Sequence, residues 1–292
     1  MRVLIVGTGL IGASIGLALR SLEGFSGEVL GYDASAVELK TAIEMGAIDR
    51  ALPSREAVLE SRADVIVLAT PVMPILDWME RLAPALDERQ LVTDVGSTKR
   101  EIVELARKLF NRPGRARFLA GHPMAGKEAG GAGLAEAGLF RGAAWLFTPV
   151  EEQRTELERE WVRLVEGFGS RVMEMEAGRH DEVCAWVSHL PQMLSTALAA
   201  LLEETFADDT AVQAIGGRAL RETTRLGSSP YSMWRDIAMT NAEPIAAALA
   251  ALEQRLQYVR ENLRTPELRE EFRIANRFRK AGNRDQGAGI RD

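Results

Sequence analysis

A glycine-punctuated loop between an apolar strand and an apolar helix constrains the fold of this chain more than any other feature. Val3-Leu4-Ile5-Val6 reads as a buried strand, Gly7-Thr8-Gly9-Leu10-Ile11-Gly12 follows it, and Ala13 to Leu22 continues at helical spacing. In such a unit Gly7 permits the tight turn, Gly9 lets a pyrophosphate approach the backbone, and Gly12 lets helix and strand pack closely. The first-turn N–H groups, including those of Leu10 and Ile11, and the positive end of the helix then hold phosphates. Asp33 closes the next apolar run, Leu30-Gly31-Tyr32-Asp33, roughly twenty residues further on, as a dinucleotide fingerprint requires. A carboxylate there accepts hydrogen bonds from both hydroxyls of an adenosine ribose and repels a 2′-phosphate, so the residues predict NAD rather than NADP. A glycine loop that serves only packing, with Asp33 as a helix N-cap, is the plainer alternative. Ala69-Thr70-Pro71 follows the third strand, and Thr70 and Pro71 are expected to line the nicotinamide half of the site, although Pro71 also suits a helix start.

The rest of the first half repeats this alternation. Glu28 to Tyr32, Val65 to Leu68, Leu91 to Thr93, Arg117 to Ala120, Ala144 to Phe147 and Arg171 to Met175 read as strands. Ala34 to Met45, Ile75 to Leu82, Arg100 to Phe110 and Glu151 to Phe168 read as helices between them. The pattern predicts an α/β, Rossmann-type N-terminal domain with a parallel sheet wound on both faces. After Ala177 the strand signal ends. Asp181 to Phe206, with a kink expected at Pro191, Asp208 to Thr224, Met233 to Thr240 and Ala242 to Leu263 are rich in Ala, Leu, Met and Glu at helical spacing. A chain of 292 residues suits two domains. We expect residues 1–176 to bind the nucleotide, residues 177–279 to form an all-α substrate and dimerisation domain, and residues 280–292 to be a disordered tail. The long Ala/Leu faces of the helices exceed what one small domain usually hides and predict a homodimer formed through them, a self-contained bundle being the plainer alternative.

Composition excludes several classes. A net charge of −6 argues against a dominant nucleic-acid surface. Cys184 is the single cysteine, so no intrachain disulfide forms, and a reducing cytoplasm is expected. Met1 to Leu19 is apolar, but its glycines and the lack of a cleavage region argue against a signal peptide. No stretch approaches the ~20 apolar residues of a membrane helix. No metal site is expected.

Chemistry concentrates in two later segments. Phe118 to Gly130 carries His122-Pro123-Met124-Ala125-Gly126 in what reads as a short loop after an apolar strand. A histidine there suits a base that takes the proton of an alcohol as its hydride leaves, the plainer alternative being a loop histidine hydrogen-bonded to backbone. Ser97, in Thr93-Asp94-Val95-Gly96-Ser97-Thr98-Lys99, lies on the same strand edge and either caps the following helix or addresses substrate and base. His180, among charged residues at a helix start, is expected to be exposed, while His189 suits either a structural place or one near substrate. Arg225, in the run Arg221 to Asp236, can clamp a carboxylate if it faces a cleft.

Together Gly7 to Ser14, Asp94 to Lys99, Gly121 to Gly126, Ser188-His189-Leu190-Pro191 and Met233-Trp234-Arg235-Asp236 give the chain a close resemblance, over residues 1 to 265, to the prephenate/arogenate dehydrogenases of tyrosine biosynthesis. The resemblance implies an NAD-dependent oxidative decarboxylation of prephenate or arogenate, a small-molecule substrate, with no nucleic-acid or membrane partner. It implies that His122 is the base, that Ser97 bonds it and the substrate hydroxyl, and that Arg225 binds a substrate carboxylate. Glu128 and Trp234 match residues that shape the pocket, and Ser188 and Glu222 are expected beside it, Glu222 helping to place Arg225 or an amino group. Gln192 stands where many members carry a second histidine, which bears on substrate preference and on inhibition by tyrosine. With no regulatory module expected after the helices, such inhibition would act at the active site. The rival β-hydroxyacid type of two-domain dehydrogenase relies on a helical-domain lysine, and no lysine lies between Val150 and Arg279. A non-catalytic NAD sensor is the other rival.

Overall fold

The structure, a computed structural model, describes residues 1–207 and 209–287. Its first part alternates as the periodicity requires: β1 (Arg2–Val6), α1 (Leu10–Ser21), β2 (Glu28–Tyr32), α2 (Ala36–Glu44), β3 (Arg50–Ala51), α3 (Arg55–Leu59), β4 (Val65–Leu68), α4 (Val72–Leu82), β5 (Leu91–Asp94), α5 (Arg100–Leu109), β6 (Arg117–Pro123), β7 (Ala144–Pro149), α6 (Glu156–Gly167) and β8 (Arg171–Glu174). The strands form one sheet in the order β3-β2-β1-β4-β5-β6-β7-β8. Strands β1 to β6 pair in parallel, β7 runs antiparallel to β6, and β8 pairs parallel to β7.

Every residue of β4 and β5 is buried, which is the signature of a parallel sheet covered on both faces. Successive side chains alternate between two apolar layers. Leu4, Val6, Ile66 and Leu68 pack with Ile75, Trp78 and Met79 of α4 and Ile102 and Val103 of α5. Val3, Ile5, Val65 and Val67 pack with Ile15 and Leu19 of α1 and Trp161 and Val165 of α6. The strand order reverses between β1 and β4, so the loops leaving those strands diverge and open a crevice at their C-terminal ends.

The second part is helical: α7 (Ala177–Cys184), a π-turn over Ala185–His189, α8 (Leu190–Phe206), α9 (Thr210–Ile215), α10 (Arg218–Thr224), a 3-10 turn over Arg225–Ser228, α11 (Tyr231–Thr240), α12 (Ala242–Glu261) and α13 (Leu268–Gly287). The widened turn lies just before Pro191, whose missing N–H and ring bulk disrupt the ladder there. Gly216 and Gly217 split the helix expected over Asp208 to Thr224 into α9 and α10. The helix expected from Glu151 starts at Glu156, where Thr155 and Glu158 form a reciprocal capping box. The disorder expected from Lys280 is corrected as far as Gly287, which ends α13; residues 288–292 lie outside the described residues.

Two carboxylates fasten the helices to the sheet. Asp236 of α11, fully buried, accepts a hydrogen bond from Met73 N at the start of α4 (3.1 Å), where Pro71 offers no side-chain cap. Asp181 of α7 accepts from Lys99 N (2.7 Å) and Arg100 N (2.9 Å) at the start of α5. Each places negative charge on the positive end of a helix and satisfies amides that the helix itself cannot. The described residues divide into two units, Met1–Ile245 and the chain from Ala246 onward. Within the second, Arg255 of α12 pairs with Glu271 of α13 at 2.8 Å. Among the described residues no helix is long and apolar enough to cross a membrane.

Candidate active site

At the crevice the nucleotide loop has the shape its sequence predicts. Gly7 holds φ at +96°, and a Cβ there would sit 2.5 Å from Ala69 O. A Cβ on Gly12 would come within 1.9 Å of Gly7 O, so loop and helix close on each other only without one. Around Gly9 the space is open, with no atom within 4 Å of where a Cβ would stand. Gly9 begins α1 without a side-chain cap, and the first turn carries no acid, so its amides are available to an anion. Asp33 ties two loops together, accepting from Thr8 N (2.7 Å) and Ser35 N (2.8 Å). It is not the N-cap of α2, since Ser35 fills that place. Thr8 Oγ1 adds a longer bond to the same carboxylate (3.5 Å), so of about four acceptor positions one stays open to a further donor. Pro71 precedes α4, and Thr70 packs against the Gly7 turn.

His122 does not sit in a loop: it is the penultimate residue of β6, paired with Leu146 of β7, and only 7% exposed. Its Nδ1 lies 2.9 Å from Nε2 of His180, and Nδ1 of His180 lies 2.8 Å from Oδ1 of Asp181. His180, expected at the surface, is fully buried. On α7 the residues Ala177, His180, Asp181 and Cys184 share one inward face at spacings of three, one and three, while Arg179 and Glu182 pair outside. This spacing is the signal in the sequence that identifies His180 and Asp181.

The chain of three groups fixes where each proton lies. Asp181 only accepts, so His180 donates from Nδ1 and accepts at Nε2; His122 must then donate from Nδ1, leaving the lone pair on Nε2. Burial lowers the pKa of His122 well below its usual value, and the neighbouring His180, Lys99 and His189 push it further in that direction. Burial also lowers His180, and the Lys99 cation adds to this, while the hydrogen bond that His180 donates to Asp181 opposes it. Burial would raise Asp181, but hydrogen bonds from His180, Arg100 N and Lys99 N outweigh it and lower the pKa. Both imidazoles are therefore neutral at neutral pH. Beneath them Lys99 is buried and paired with Asp94 (2.5 Å), whose carboxylate also accepts from Gly96 N and from Gly121 N, the residue before His122. Burial pushes the Cys184 thiol up to about 12, so at neutral pH the sulfur carries its proton.

The remaining expected residues take different places. Ser97 is half-buried in the loop after β5, on the edge from which His122 projects; Asp181, not Ser97, caps α5. Arg225 opens the 3-10 turn and pairs with Glu128, joining two residues far apart in sequence. Gln192 pins that turn: its Nε2 donates to Leu226 O (2.7 Å) and its Oε1 accepts from Ser229 Oγ (3.1 Å). Glu222 does not reach Arg225; it pairs with Arg218 one helical turn earlier on exposed α10. Ser188 is half-buried in the π-turn. Trp234 meets His189 edge to face at 5.8 Å, and Asn241 donates to Nδ1 of His189 and to Asp181 O.

A doubly wound nucleotide-binding sheet, with a buried histidine–histidine–aspartate chain at its C-terminal edge and a helical partner, defines a two-part dehydrogenase-like fold. The sequence profile of the prephenate dehydrogenase nucleotide-binding domain matches residues 15–174, and that of the prephenate dehydrogenase dimerisation domain matches residues 176–275. The chain belongs to the prephenate dehydrogenase family. It is 33% identical to the prephenate dehydrogenase of Bacillus subtilis over 248 residues, 83% of this chain but only 65% of that protein's length. Among solved structures it resembles the A. aeolicus prephenate dehydrogenase in complex with hydroxyphenyl propionate and NAD+ (29% identity, TM-score 0.84, covering 99% of this chain and 98% of that one). It also resembles Synechocystis arogenate dehydrogenase (30% identity, TM-score 0.75, covering 98% and 99%).

Proposed function

We propose that the chain is an NAD-dependent dehydrogenase of the cytoplasm that oxidises and decarboxylates a ring-carboxylated cyclohexadienol, prephenate or its amino analogue arogenate. One observation carries the reading: the tautomer chain from Asp181 through His180 leaves His122 with a free lone pair on Nε2 at the C-terminal edge of the sheet. The named A. aeolicus relative binds NAD+, and the residues here fit that group: open space at Gly9, uncapped amides at the start of α1, and spare acceptor capacity on Asp33. When bound, the nicotinamide supplies a hydride acceptor. Gly7, Gly9, Gly12 and the amides of Leu10 and Ile11 would hold the pyrophosphate, Asp33 the ribose, and Thr70 and Pro71 the nicotinamide side.

The residues of this chain handle the proton and the carboxylates. His122 Nε2 takes the C4 hydroxyl proton as the C–H bond at C4 breaks and the carbonyl forms. The electron pair of the bond to the ring carboxylate then flows into the dienone, CO2 leaves, and the ring becomes aromatic. The phenolate oxygen so formed takes the proton back from His122, which returns to its starting tautomer. Ser97 orients the hydroxyl, and Arg225 pairs with a substrate carboxylate in place of Glu128. Trp234 and Ser188 bound the pocket, and Gln192 acts through the turn that carries Arg225. Residues 177–279 serve dimerisation as well as substrate binding. The C-terminal match is to a dimerisation domain, and large apolar side chains are exposed along the π-turn (Trp186, Val187) and α8 (Leu194, Leu201). Following NADH formation with prephenate and with arogenate, as parallel kcat/KM measurements, tests the reading. Turnover of either substrate is expected; failure with both, in protein that binds NAD, overturns it.

A further inference from the structure

Cys184 takes no part in the chemistry above, yet its sulfur lies against both histidines of the chain. We propose that His122 Nδ1, His180 Nε2 and Cys184 Sγ form a buried three-donor site for a thiophilic divalent cation, Zn2+ above all, whose occupation takes His122 out of catalysis. The donor triangle has sides of 2.9 Å between the nitrogens, 3.6 Å from sulfur to His180 and 4.0 Å from sulfur to His122. With Zn–N near 2.0–2.1 Å and Zn–S near 2.3 Å, tetrahedral ligands sit about 3.3 Å (N to N) and about 3.6 Å (N to S) apart. The triangle therefore has the size of a tetrahedral face to within about half an ångström, leaving the fourth position for water.

Three further features suit a metal. His180 and Cys184 stand four residues apart on one face of α7, while His122 comes from the sheet, so the donors sit on ordered elements. Asp181 holds Nδ1 of His180, which aims the Nε2 lone pair into the triangle, and Asp181 is itself anchored by two backbone amides. A carboxylate behind a ligating imidazole is the usual support of a zinc-binding histidine. Finally, charge balances: the dication meets one thiolate and the Asp181 carboxylate, while Lys99 and Asp94 cancel each other. His122, with 7% exposure beside two fully buried partners, is the side from which an ion enters.

Binding releases the thiol proton of Cys184 and moves the His122 proton from Nδ1 to Nε2. The nitrogen that should accept the substrate proton then carries one. The inhibitory consequence rests on the reading of His122 as base; the binding does not.

Titrating the chelator-stripped protein with Co2+ tests the site directly. One equivalent is expected to produce the d–d spectrum of a tetrahedral ion together with a thiolate-to-cobalt charge-transfer band. Since the chain has one cysteine, that band reports on Cys184 alone. Cys184→Ala, checked for folding by circular dichroism and for NAD binding, should lose the band, and Zn2+ should displace Co2+ from the wild type. Asp181→Asn should weaken Co2+ binding about 10- to 100-fold. In turnover, Zn2+ should inhibit the wild type reversibly, with the inhibitory concentration raised about ten-fold or more in Cys184→Ala. No charge-transfer band in folded wild-type protein overturns the site. A band accompanied by unchanged turnover in Zn2+ upholds the site and overturns His122 as base instead.

Discussion

At the scale of single residues, the weight falls on His122 and on the two groups that decide its tautomer. His122→Asn keeps a hydrogen-bonding side chain of similar reach but removes the base, so kcat should fall by about 10²- to 10⁴-fold with little change in KM. Steady-state rates with saturating NAD check this. The pH profile follows from the direction of the shift. Facing His122 are His180, Asp181 and Cys184 on α7, the buried Lys99–Asp94 pair, and His189, and burial dominates their combined effect in lowering its pKa. The lone pair is lost only when the pH falls through that lowered value. The acid limb of kcat/KM should therefore lie well below the usual histidine range, and vanish in His122→Asn. Arg225 pairs with Glu128, and on the proposed reading it would exchange that carboxylate for one of the substrate's. Arg225→Gln should raise KM about 10- to 100-fold, the equivalent of losing a charged hydrogen bond of about 1.5–3 kcal/mol, while kcat changes less. An unchanged KM moves the carboxylate clamp elsewhere.

Elements explain why some of this is legible in the sequence and some is not. Strand-loop-helix order, alternation and the Gly7 to Gly12 run are local signals, and they locate the sheet, the nucleotide loop and the strand edge. His122 is singled out by its motif, while Arg225 and Glu128 are candidates only through the family resemblance. The burial of His180 is harder to read, because its charged neighbours point to the surface and only the inward face of Ala177, His180, Asp181 and Cys184 reveals it. The caps of α4 and α5 are beyond any local reading, since Asp236 lies 163 positions from Met73 and Asp181 lies 82 from Lys99. The short β3 carries too few residues for a periodic signal. These long-range caps predict a measurable coupling. Asp236→Asn preserves shape but weakens the bond to the α4 amide and to Arg235, and should cost about 0.5–2 kcal/mol, the range of a lost cap. A lowered Tm with normal kcat would place Asp236 in the docking of α11; an unaltered Tm would show that the bond holds nothing.

For the whole molecule, the same buried cluster should make stability depend on pH. His122, His180 and His189 all have lowered pKa values in the folded protein, each chiefly through burial. The unfolded chain binds protons at these positions first, near pH 6.5, so unfolding is favoured as the pH drops below that point. His189 falls to about 4, a displacement of about 2.5 units, which corresponds to roughly 3 kcal/mol lost between pH 6.5 and pH 4. Asp181 acts in the same direction: its lowered pKa contributes stability above the unfolded value near 3.9, and this is lost on further acidification. Denaturant unfolding followed from pH 8 to pH 4 should therefore show a flat region above about pH 7 and a steep decline beginning near pH 6.5. In His189→Gln, which keeps a donor and an acceptor beside Asn241 but cannot titrate, the decline should be shallower. A profile identical to the wild type would mean that His189 titrates alike in the folded and unfolded chain, against its burial.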